Sequence, residues 1–313
     1  MNRARPIFSV IVATRNRADL LAEALRSVAA QTFDDYECLV IDDGSDEPVR
    51  AQNAKLVESL GPRFRLIAAR PPGSFGAGAA AARNAGLRAA QGTVVTFLDD
   101  DDYWIDPTHL SRAARLFAQP DVDLYLVNYR VHTAERVIVE DVLGWADWLR
   151  RRPFRDEACV FELDRNALGR LLQHRSPNPS TWLLRAAVAE RCEGFYEWLR
   201  GWSEDFNLCC RAADGSRRIL FCSLPVVSYR SPTGNAVSLQ YGAMEQCFNE
   251  FGATVHASIH CRDRSLRRVA RAREAWTYRS LALLSKRPWS PGAAIRGLCA
   301  VGLAVFRCAG FHR

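Results

Sequence analysis

Short apolar runs alternate with segments of helical periodicity over the first 120 residues, and this alternation limits the chain to few folds. The predicted strands lie at residues 7–13, 36–41, 64–69 and 93–98, and the predicted helices at about 17–29, 48–60 and 78–90. Strands that alternate with helices form a parallel sheet with helices on both faces. Such sheets bind ligands where their strands end. The sequence therefore predicts an α/β fold whose binding site lies at the carboxyl edge of the sheet.

Four consecutive aspartates, Asp99 to Asp102, follow the fourth predicted strand. Two carboxylates about 5 Å apart repel by roughly 3 kcal/mol at an effective dielectric constant near 20. A partly buried cluster therefore needs a neutralising cation, or some of the acids stay protonated. Oxygen ligands suit Mg²⁺ or Mn²⁺, which in turn bind phosphate oxygens. A solvated acidic turn or a helix cap near Asp106 is the structural alternative.

Polar clusters also follow the first two strands. Residues 14–17 open a helix with Asn16 as its predicted N-cap, and donors there can hold a base or a phosphate. Residues 42–45 carry two carboxylates that can accept hydrogen bonds from a base or a ribose. A capped loop and an Asx-turn are the structural alternatives. Residues 76–81 resemble a dinucleotide fingerprint, but that motif belongs to the first strand–helix turn, which has no glycine here, so a classical NAD site is excluded.

The pattern changes beyond about residue 120. Predicted strands lie at 122–131, 136–139, 181–184, 218–222 and 226–229, and predicted helices lie near 185–191 and 205–213. The first two of these strands are a candidate hairpin. We expect this half to cap the first and to form the pocket for a second substrate. The chain is therefore divided into residues 1–120, 121–254 and 255–313.

Five ordered blocks resemble family 2 glycosyltransferases. They are residues 9–17, 27–32, 40–45, 82–86 and 97–104. Weaker similarity extends the resemblance to about residues 7–238. It implies a GT-A fold, which is Rossmann-like with a mostly parallel central sheet, and transfer of a sugar from a nucleotide diphosphate, usually with inversion. It also implies that 1–120 binds the nucleotide sugar and that 121–254 supplies the acceptor site and the catalytic base within the same domain.

The resemblance also assigns roles to individual residues. The nucleotide-sugar site would comprise Thr14, Asn16, Arg17, Asp42, Asp43, Arg83, Asp99 and Asp100. Within it, Arg83 would lie near the diphosphate. The family's DxD motif would fall on residues 99–101, and Mn²⁺ or Mg²⁺ there would stabilise the leaving nucleotide. Asp101 is the first choice as metal ligand, with Asp99 and Asp102 close behind.

Inversion requires a general base on the side of the sugar opposite the leaving group. Residues 194–197 and 204–211 resemble the family's GFDE…EDxxLxxR arrangement. Asp205 is the predicted base and Glu204 the alternative. The structural alternative is that these acids cap a helix. Residues 229–238 loosely resemble a loop that closes over the donor.

The C-terminal segment is strongly basic. Over residues 255–313 twelve Lys or Arg residues face two acids, a net charge of +10 against +7 for the whole chain. A predicted helix places Leu266, Val269, Ala270 and Trp276 on one side and Arg267, Arg268, Arg271 and Arg279 on the other, with Arg273 breaking the pattern. Residues 262–307 therefore suit an anionic membrane surface. The ten apolar residues 297–306 fall short of the about 20 that span a bilayer.

Three alternatives qualify this interpretation of the tail. Both C-terminal helices can instead pack on the body or form a homodimer contact. A nucleic-acid partner is not favoured, because no DNA- or RNA-binding motif accompanies the arginines. His256, His260 and Cys261 can lie together on a helix, but no fourth ligand lies nearby, so a structural metal is not favoured.

The expected location is the cytoplasm, at the inner face of the plasma membrane. The N-terminus lacks the apolar stretch of a signal peptide. Ten scattered cysteines without a CxxC pair agree with reduced thiols.

The sequence thus predicts a metal-dependent, inverting glycosyltransferase. Its donor would be a UDP-sugar, with GDP- and dTDP-sugars open, and its acceptor a growing or lipid-linked glycan. A sugar-nucleotide nucleotidyltransferase is the alternative enzyme, but it needs a Gly-rich basic loop after the first strand, which residues 13–16 do not supply. A catalytically inactive sugar-nucleotide-binding scaffold is the non-enzymatic alternative, and the intact acids at 99–102 and 204–205 argue against it.

Overall fold

A mixed sheet of eleven strands forms the centre of the part of the chain that the structure describes. The computed structural model describes residues 5–143, 153–155, 157–174, 178–199, 203–231 and 243–284. The loosely resembling block at 232–238 and the apolar segment at 297–306 lie outside these residues.

Strands and helices alternate in the N-terminal part, as predicted. The elements are β1 (Phe8–Thr14), α1 (Ala18–Ala29), β2 (Tyr36–Asp42), α2 (Glu47–Ser59), β3 (Phe64–Ala68), α3 (Ala79–Ala89) and β4 (Val94–Asp99). The four strands are parallel and lie in the order β3-β2-β1-β4. All seven residues of β2 are buried, as expected for a central strand whose two faces are both covered. The predicted α/β fold is confirmed.

The second half extends this sheet with strands of both directions. Its elements are β5 (Tyr103–Trp104), α4 (His109–Phe117), β6 (Val122–His132), β7 (Val137–Val139), β8 (Pro153–Phe154), β9 (Glu157–Leu163), α5 (Arg165–His174), β10 (Trp182–Arg185), α6 (Ala186–Arg191), α7 (Glu204–Gly215) and β11 (Arg218–Arg230). The order beyond β4 is β10-β6-β11-β9-β8, with β10 antiparallel to β4 and β6. The short strand β5 pairs with β11, which brings the end of β11 close to the segment after β4.

The strand predictions were partly wrong in this half. The hairpin of β6 and β7 is confirmed. The two strands predicted at 218–222 and 226–229 form one strand, β11, whose register with β6 shifts on both sides of Pro225. Proline donates no backbone hydrogen bond, so the pairing is interrupted by a bulge while the strand continues.

Two helices follow β11 among the described residues, α8 (Ala243–His260) and α9 (Arg264–Leu284). They pack on each other, α8 also contacts α7, and α9 contacts α5. Helix α8 runs continuously across residues 254 and 255, between which the sequence analysis placed the start of the extension. Gly169 of α5 lies so close to α9 that an added Cβ would meet Val269 Cγ2 at 3.1 Å. The first part of the tail therefore packs on the body.

The outward side of α9 differs from the predicted helical wheel. Leu266, Val269 and Ala270 are buried, but Trp276 is 61% exposed, so the apolar side is not continuous. None of the described helices is long and apolar enough to cross a bilayer. His256 and His260 stack with their ring centroids 4.0 Å apart. No group of three metal-ligating His, Cys, Asp or Glu side chains occurs among the described residues.

Candidate active site

The polar clusters after β1 and β4 meet at the carboxyl edge of the sheet. The Thr14 hydroxyl donates to Asp100 Oδ2 at 2.7 Å. Arg17 Nη1 donates to Asp100 Oδ1 at 3.1 Å and to Asp101 Oδ2 at 3.0 Å. The structure therefore brings Thr14 and Arg17 together with Asp100 and Asp101. The Thr14 hydroxyl, predicted to contact the nucleotide sugar, donates to an aspartate of the protein instead.

The two aspartates after β2 hold loops in place. Asp42 Oδ1 accepts the N–H groups of Gly44 and Ser45 at 3.0 and 2.7 Å, which is the Asx-turn alternative. Its Oδ2 is buried and has no hydrogen-bond partner among the described residues. Asp43 accepts the N–H groups of Ala77 and Gly78 at 3.0 and 2.9 Å, so both of its oxygens are occupied.

Asn16 does not cap a helix, contrary to the prediction. Arg17 occupies the N-cap position of α1 and makes no side-chain cap bond. Asn16 adopts a left-handed backbone conformation with φ 57°, and its side chain pairs with the loop after β2. Its Oδ1 accepts the Asp46 N–H at 2.8 Å, and its backbone N–H donates to Ser45 Oγ at 3.0 Å. Asn16 thus fastens the loop after β1 to the loop after β2.

The four aspartates fall into two pairs by burial. Asp100 and Asp102 are buried, whereas 25% of the Asp99 side chain and 26% of the Asp101 side chain are exposed. The Asp102 oxygens accept the Ser180 hydroxyl at 2.7 Å and the Arg230 N–H at 3.0 Å. The four carboxylates therefore have different surroundings, and the described residues include no preformed group of three metal-ligating side chains. Asp99 and Asp101 are the pair nearest to solvent.

Burial disfavours the charged form of three of these carboxyl groups and raises their pKa values. Burial raises the pKa of Asp100 to about 7, although Arg17 opposes the shift. Burial and the neighbouring Asp99 raise the pKa of Asp101, and burial with Asp99 and Asp101 raises that of Asp102 further. The arginines relieve only part of the repulsion, so the cluster favours either a proton or a cation.

Arg83 joins the aspartates to the second acidic group. It is buried, and its Nη2 donates to Asp99 Oδ1 at 2.5 Å while its Nη1 donates to Glu204 Oε1 at 3.0 Å. Its neighbour Asn84 binds the backbone of Phe195 through both side-chain atoms, at 2.8 Å each. Two sequence blocks more than a hundred residues apart therefore meet at one place.

Glu204 and Asp205 begin α7. Ser203 in the N-cap position makes no side-chain cap bond, whereas Asp205 Oδ1 accepts the N–H of Phe206 at 2.6 Å. Asp205 is partly exposed, and burial together with the Glu204 charge raises its pKa to about 7. A carboxylate with a pKa near neutrality suits general base catalysis, because it is available and still binds a proton well.

Two further residues near this site were not predicted as part of it. Ser180 bridges the ends of the aspartate run, since its Oγ accepts the Asp99 N–H at 3.0 Å and donates to Asp102. Arg273 of α9 salt-bridges Glu250 of α8 at 2.9 Å, and its guanidinium lies 4.3 Å from the ring centroid of Phe206 in the first turn of α7. Neither Ser180 nor Arg273 belongs to a recognisable sequence motif. The one signal was that Arg273 interrupts the amphipathic pattern of its helix, which marks it as facing inward.

Comparison with known proteins relates this site to one family. The model of glycosyl transferase family 2 matches residues 9–171, just over half of the chain. The E. coli UDP-Glc:alpha-D-GlcNAc-diphosphoundecaprenol beta-1,3-glucosyltransferase WfgD is 30% identical over 125 residues, which are 40% of this chain and 46% of that protein. The chain spans between about a third and a half of the length of the curated relatives that it matches.

Two groups of solved structures share the fold. S. aureus TarS in complex with UDP-GlcNAc superposes with a TM-score of 0.63 at 23% identity, covering 88% of this chain and 70% of that one. The mannosyltransferase PcManGT from Pyrobaculum calidifontis, in complex with GDP-Man and Mn²⁺, gives 0.60 at 19% identity, covering 97% and 81%. These likenesses identify the architecture as the GT-A fold that the sequence predicted.

Proposed function

The chain belongs to glycosyl transferase family 2, and on this premise we propose that it transfers a sugar from a nucleotide diphosphate to a glycan or lipid-linked acceptor, with inversion. The observation that carries the proposal is the ion-pair chain Asp99–Arg83–Glu204, next to Asp205. It connects a diphosphate-binding group and a proton acceptor within one site, and transfer with inversion needs both.

The donor is a UDP-sugar in this proposal. Asp42 Oδ2 supports this choice, because a buried acceptor without a partner gains from binding an N–H group such as that of uracil. Asp43 and Thr14 already use their polar atoms within the protein, so Asp42 is the better candidate. TarS binds UDP-GlcNAc, and relatives named as UDP-Glc-dependent glucosyltransferases agree with this donor.

A divalent cation, Mn²⁺ or Mg²⁺, fits the partly exposed carboxylates of Asp99 and Asp101. Such ions commonly take one or two carboxylates and complete their coordination with substrate phosphates and water. Both oxygens of Asp102 accept hydrogen bonds, one from Ser180 and one from Arg230. We therefore propose only Asp99 and Asp101 as metal ligands. The bound ion would neutralise charge on the leaving nucleotide. The Mn²⁺ complex of PcManGT supports this proposal.

Asp205 is the proposed general base. It removes the proton from the acceptor hydroxyl while that oxygen attacks the anomeric carbon opposite the leaving diphosphate. Glu204 is held by Arg83 at 3.0 Å, whereas no ion pair holds Asp205 among the described residues, so Asp205 is the freer of the two. Glu204 then fixes Arg83 and the first turn of α7.

Nucleotide release from a panel of UDP-, GDP- and dTDP-sugars tests the proposal without a known acceptor. We expect release from one UDP-sugar with Mn²⁺ or Mg²⁺, and its loss with a chelator. The double variant Asp99→Asn/Asp101→Asn should lose release, while Asp35→Asn, which changes an exposed acid, should keep it. Donor binding without release in the wild-type protein would favour the inactive scaffold.

We also propose that α9 contacts an anionic membrane surface. Four exposed arginines (Arg264, Arg268, Arg271 and Arg279) share its outer side with exposed Trp276 and Tyr278. Arginine with interfacial aromatics suits lipid headgroups, and such a location at the inner face of the plasma membrane would suit a lipid-linked acceptor. Co-sedimentation with phosphatidylglycerol vesicles, compared with phosphatidylcholine vesicles, tests this. Self-association measured by ultracentrifugation without lipid would favour a homodimer.

A further inference from the structure

Arg273 is an arginine of α9 that faces the body of the protein. Its guanidinium lies over the ring of Phe206, 4.3 Å from the ring centroid. It also donates to Glu250 Oε1 of α8 from Nη2 at 2.9 Å and from Nε at 3.3 Å. The side chain is 21% exposed, and that of Glu250 is 8% exposed. Arg273 is therefore fixed by two partners on two other helices.

The ring under Arg273 belongs to the residue that holds Asp205. Phe206 is fully buried, and its backbone N–H donates to Asp205 Oδ1 at 2.6 Å. A cation packed on the ring restricts movement of the Phe206 backbone. The direction of the Asp205 carboxylate depends on that backbone. Arg273 thus acts on the carboxylate through one intervening residue.

The same turn of α7 is held by α8 as well. Asn207 Nδ2 donates to the carbonyl of Ala253 at 3.0 Å. Both C-terminal helices lie beyond residues 9–171, where the family model matches. The first turn of α7 is therefore supported from a part of the chain that the match does not include.

We propose that Arg273 is a positioning residue for the base, which orients Asp205 through Phe206 and supplies positive charge that favours its ionised form. The inference rests on the proposed function. In this proposal the inward side of α9 supports the catalytic base, while its outer side is the surface proposed to contact a membrane.

The charges around Asp205 agree with this role. The titratable and charged groups that face it are Glu204 and Cys209 on α7, Arg83 from α3 and Arg273 from α9. Burial and Glu204 raise the pKa of Asp205 to about 7, and the two arginines act in the opposite direction. Burial raises the pKa of Cys209 to about 12, so the thiol stays neutral in the range where Asp205 titrates. Glu250 partly neutralises Arg273 from the other side.

The pH dependence of nucleotide release tests the proposal. Arg273→Gln should shift the acidic limb of the pH profile of kcat to higher pH by about 0.5 to 1 unit, because it removes a positive charge near Asp205. Release one unit below the wild-type limb should then fall about three- to tenfold, while release at pH 8.5 changes less. Arg88→Gln removes an exposed arginine of α3 and should leave the limb in place.

A second pair of variants separates charge from folding. Glu250→Gln removes the carboxylate that neutralises Arg273, so the limb should move to lower pH. Arg273→Lys keeps the charge and should keep the limb near its wild-type position even if the melting temperature falls. A purely structural role predicts lower activity without either shift.

An unmoved limb in Arg273→Gln, or shifts of the same sign in Arg273→Gln and Glu250→Gln, would overturn the inference. If Arg273→Gln does not fold, as judged by circular dichroism, Glu250→Gln and Arg273→Lys decide. Absence of nucleotide release from the wild-type protein at every pH would instead contradict the proposed function.

Discussion

At the residue scale, Arg83 links the two acidic groups of the proposed active site. It is buried and contacts Asp99 and Glu204, which lie more than a hundred residues apart in the chain. Removing one partner of a buried ion pair leaves a charge without compensation. The family resemblance placed Arg83 near the diphosphate, whereas its pairing with two carboxylates depends on contacts that only the folded chain forms.

We predict that Arg83→Met destabilises the protein by about 3–5 kcal/mol, since two carboxylates lose their partner. Nucleotide release should fall more than about 100-fold, because the aspartates and Glu204 are no longer held together. Denaturant unfolding and the release assay measure the two effects. Arg88→Gln serves as the control. Wild-type stability and activity in Arg83→Met would show that the ion-pair chain is not needed.

Asp205 links activity and stability in opposite directions. Its pKa is raised from the ordinary 3.8 to about 7, so the folded protein binds this proton more tightly than the unfolded chain does. The resulting stability is present at acid pH and is lost as pH rises through 7. A general base, however, works only when it is deprotonated.

We therefore predict that nucleotide release rises with pH up to about 7 and then levels off. Over the same range, the free energy of unfolding should fall in the wild-type protein more steeply than in Asp205→Asn. Denaturant unfolding at pH 5 and at pH 8 checks the second expectation. Equal pH dependence in both proteins would mean that Asp205 does not titrate near neutrality.

At the scale of elements, the strands that carry the site follow from local sequence. Val10 to Ala13 and Cys38 to Ile41 are continuous apolar runs bounded by polar residues, so their ends and the residues after them are predictable. The segments β9 and α5 were missed, because the surrounding stretch is mixed and charged. The continuity of β11 across Pro225 depends on its neighbours β6 and β5, which no local pattern reveals.

The turn at Pro179–Thr181 supports the aspartate segment through one side chain. We predict that Ser180→Ala lowers the free energy of unfolding by about 1–3 kcal/mol, because Asp102 and the Asp99 N–H lose a buried hydrogen-bond partner. The Mn²⁺ concentration for half-maximal release should rise, since the segment between them is less fixed. Ser59→Ala, at an exposed serine of α2, is the control. An unchanged metal requirement in Ser180→Ala would leave the turn with a purely structural role.

At the scale of the whole molecule, the proposed site draws on all three parts of the chain. The N-terminal strands carry the proposed donor-binding acids, and α7 carries the proposed base. Helix α8 packs on α7, and α9 reaches α7 through Arg273. The convergence of strand ends was predictable, because parallel strands of one sheet end at one edge. The pairings of Arg83, Ser180 and Arg273 were not predictable, because each joins segments distant in sequence that only the folded chain brings together.

Asp205→Asn tests the central claim, that the acids at 99–101 serve the donor and Asp205 serves the proton. The variant keeps the size of the side chain and removes its basicity. We predict that calorimetry with Mn²⁺ gives a Kd for the UDP-sugar within about twofold of wild type, while transfer falls about 10²- to 10⁴-fold. Glu204→Gln is the matched variant, and it should change transfer mainly through Arg83. Transfer by Asp205→Asn at the wild-type rate would contradict the account.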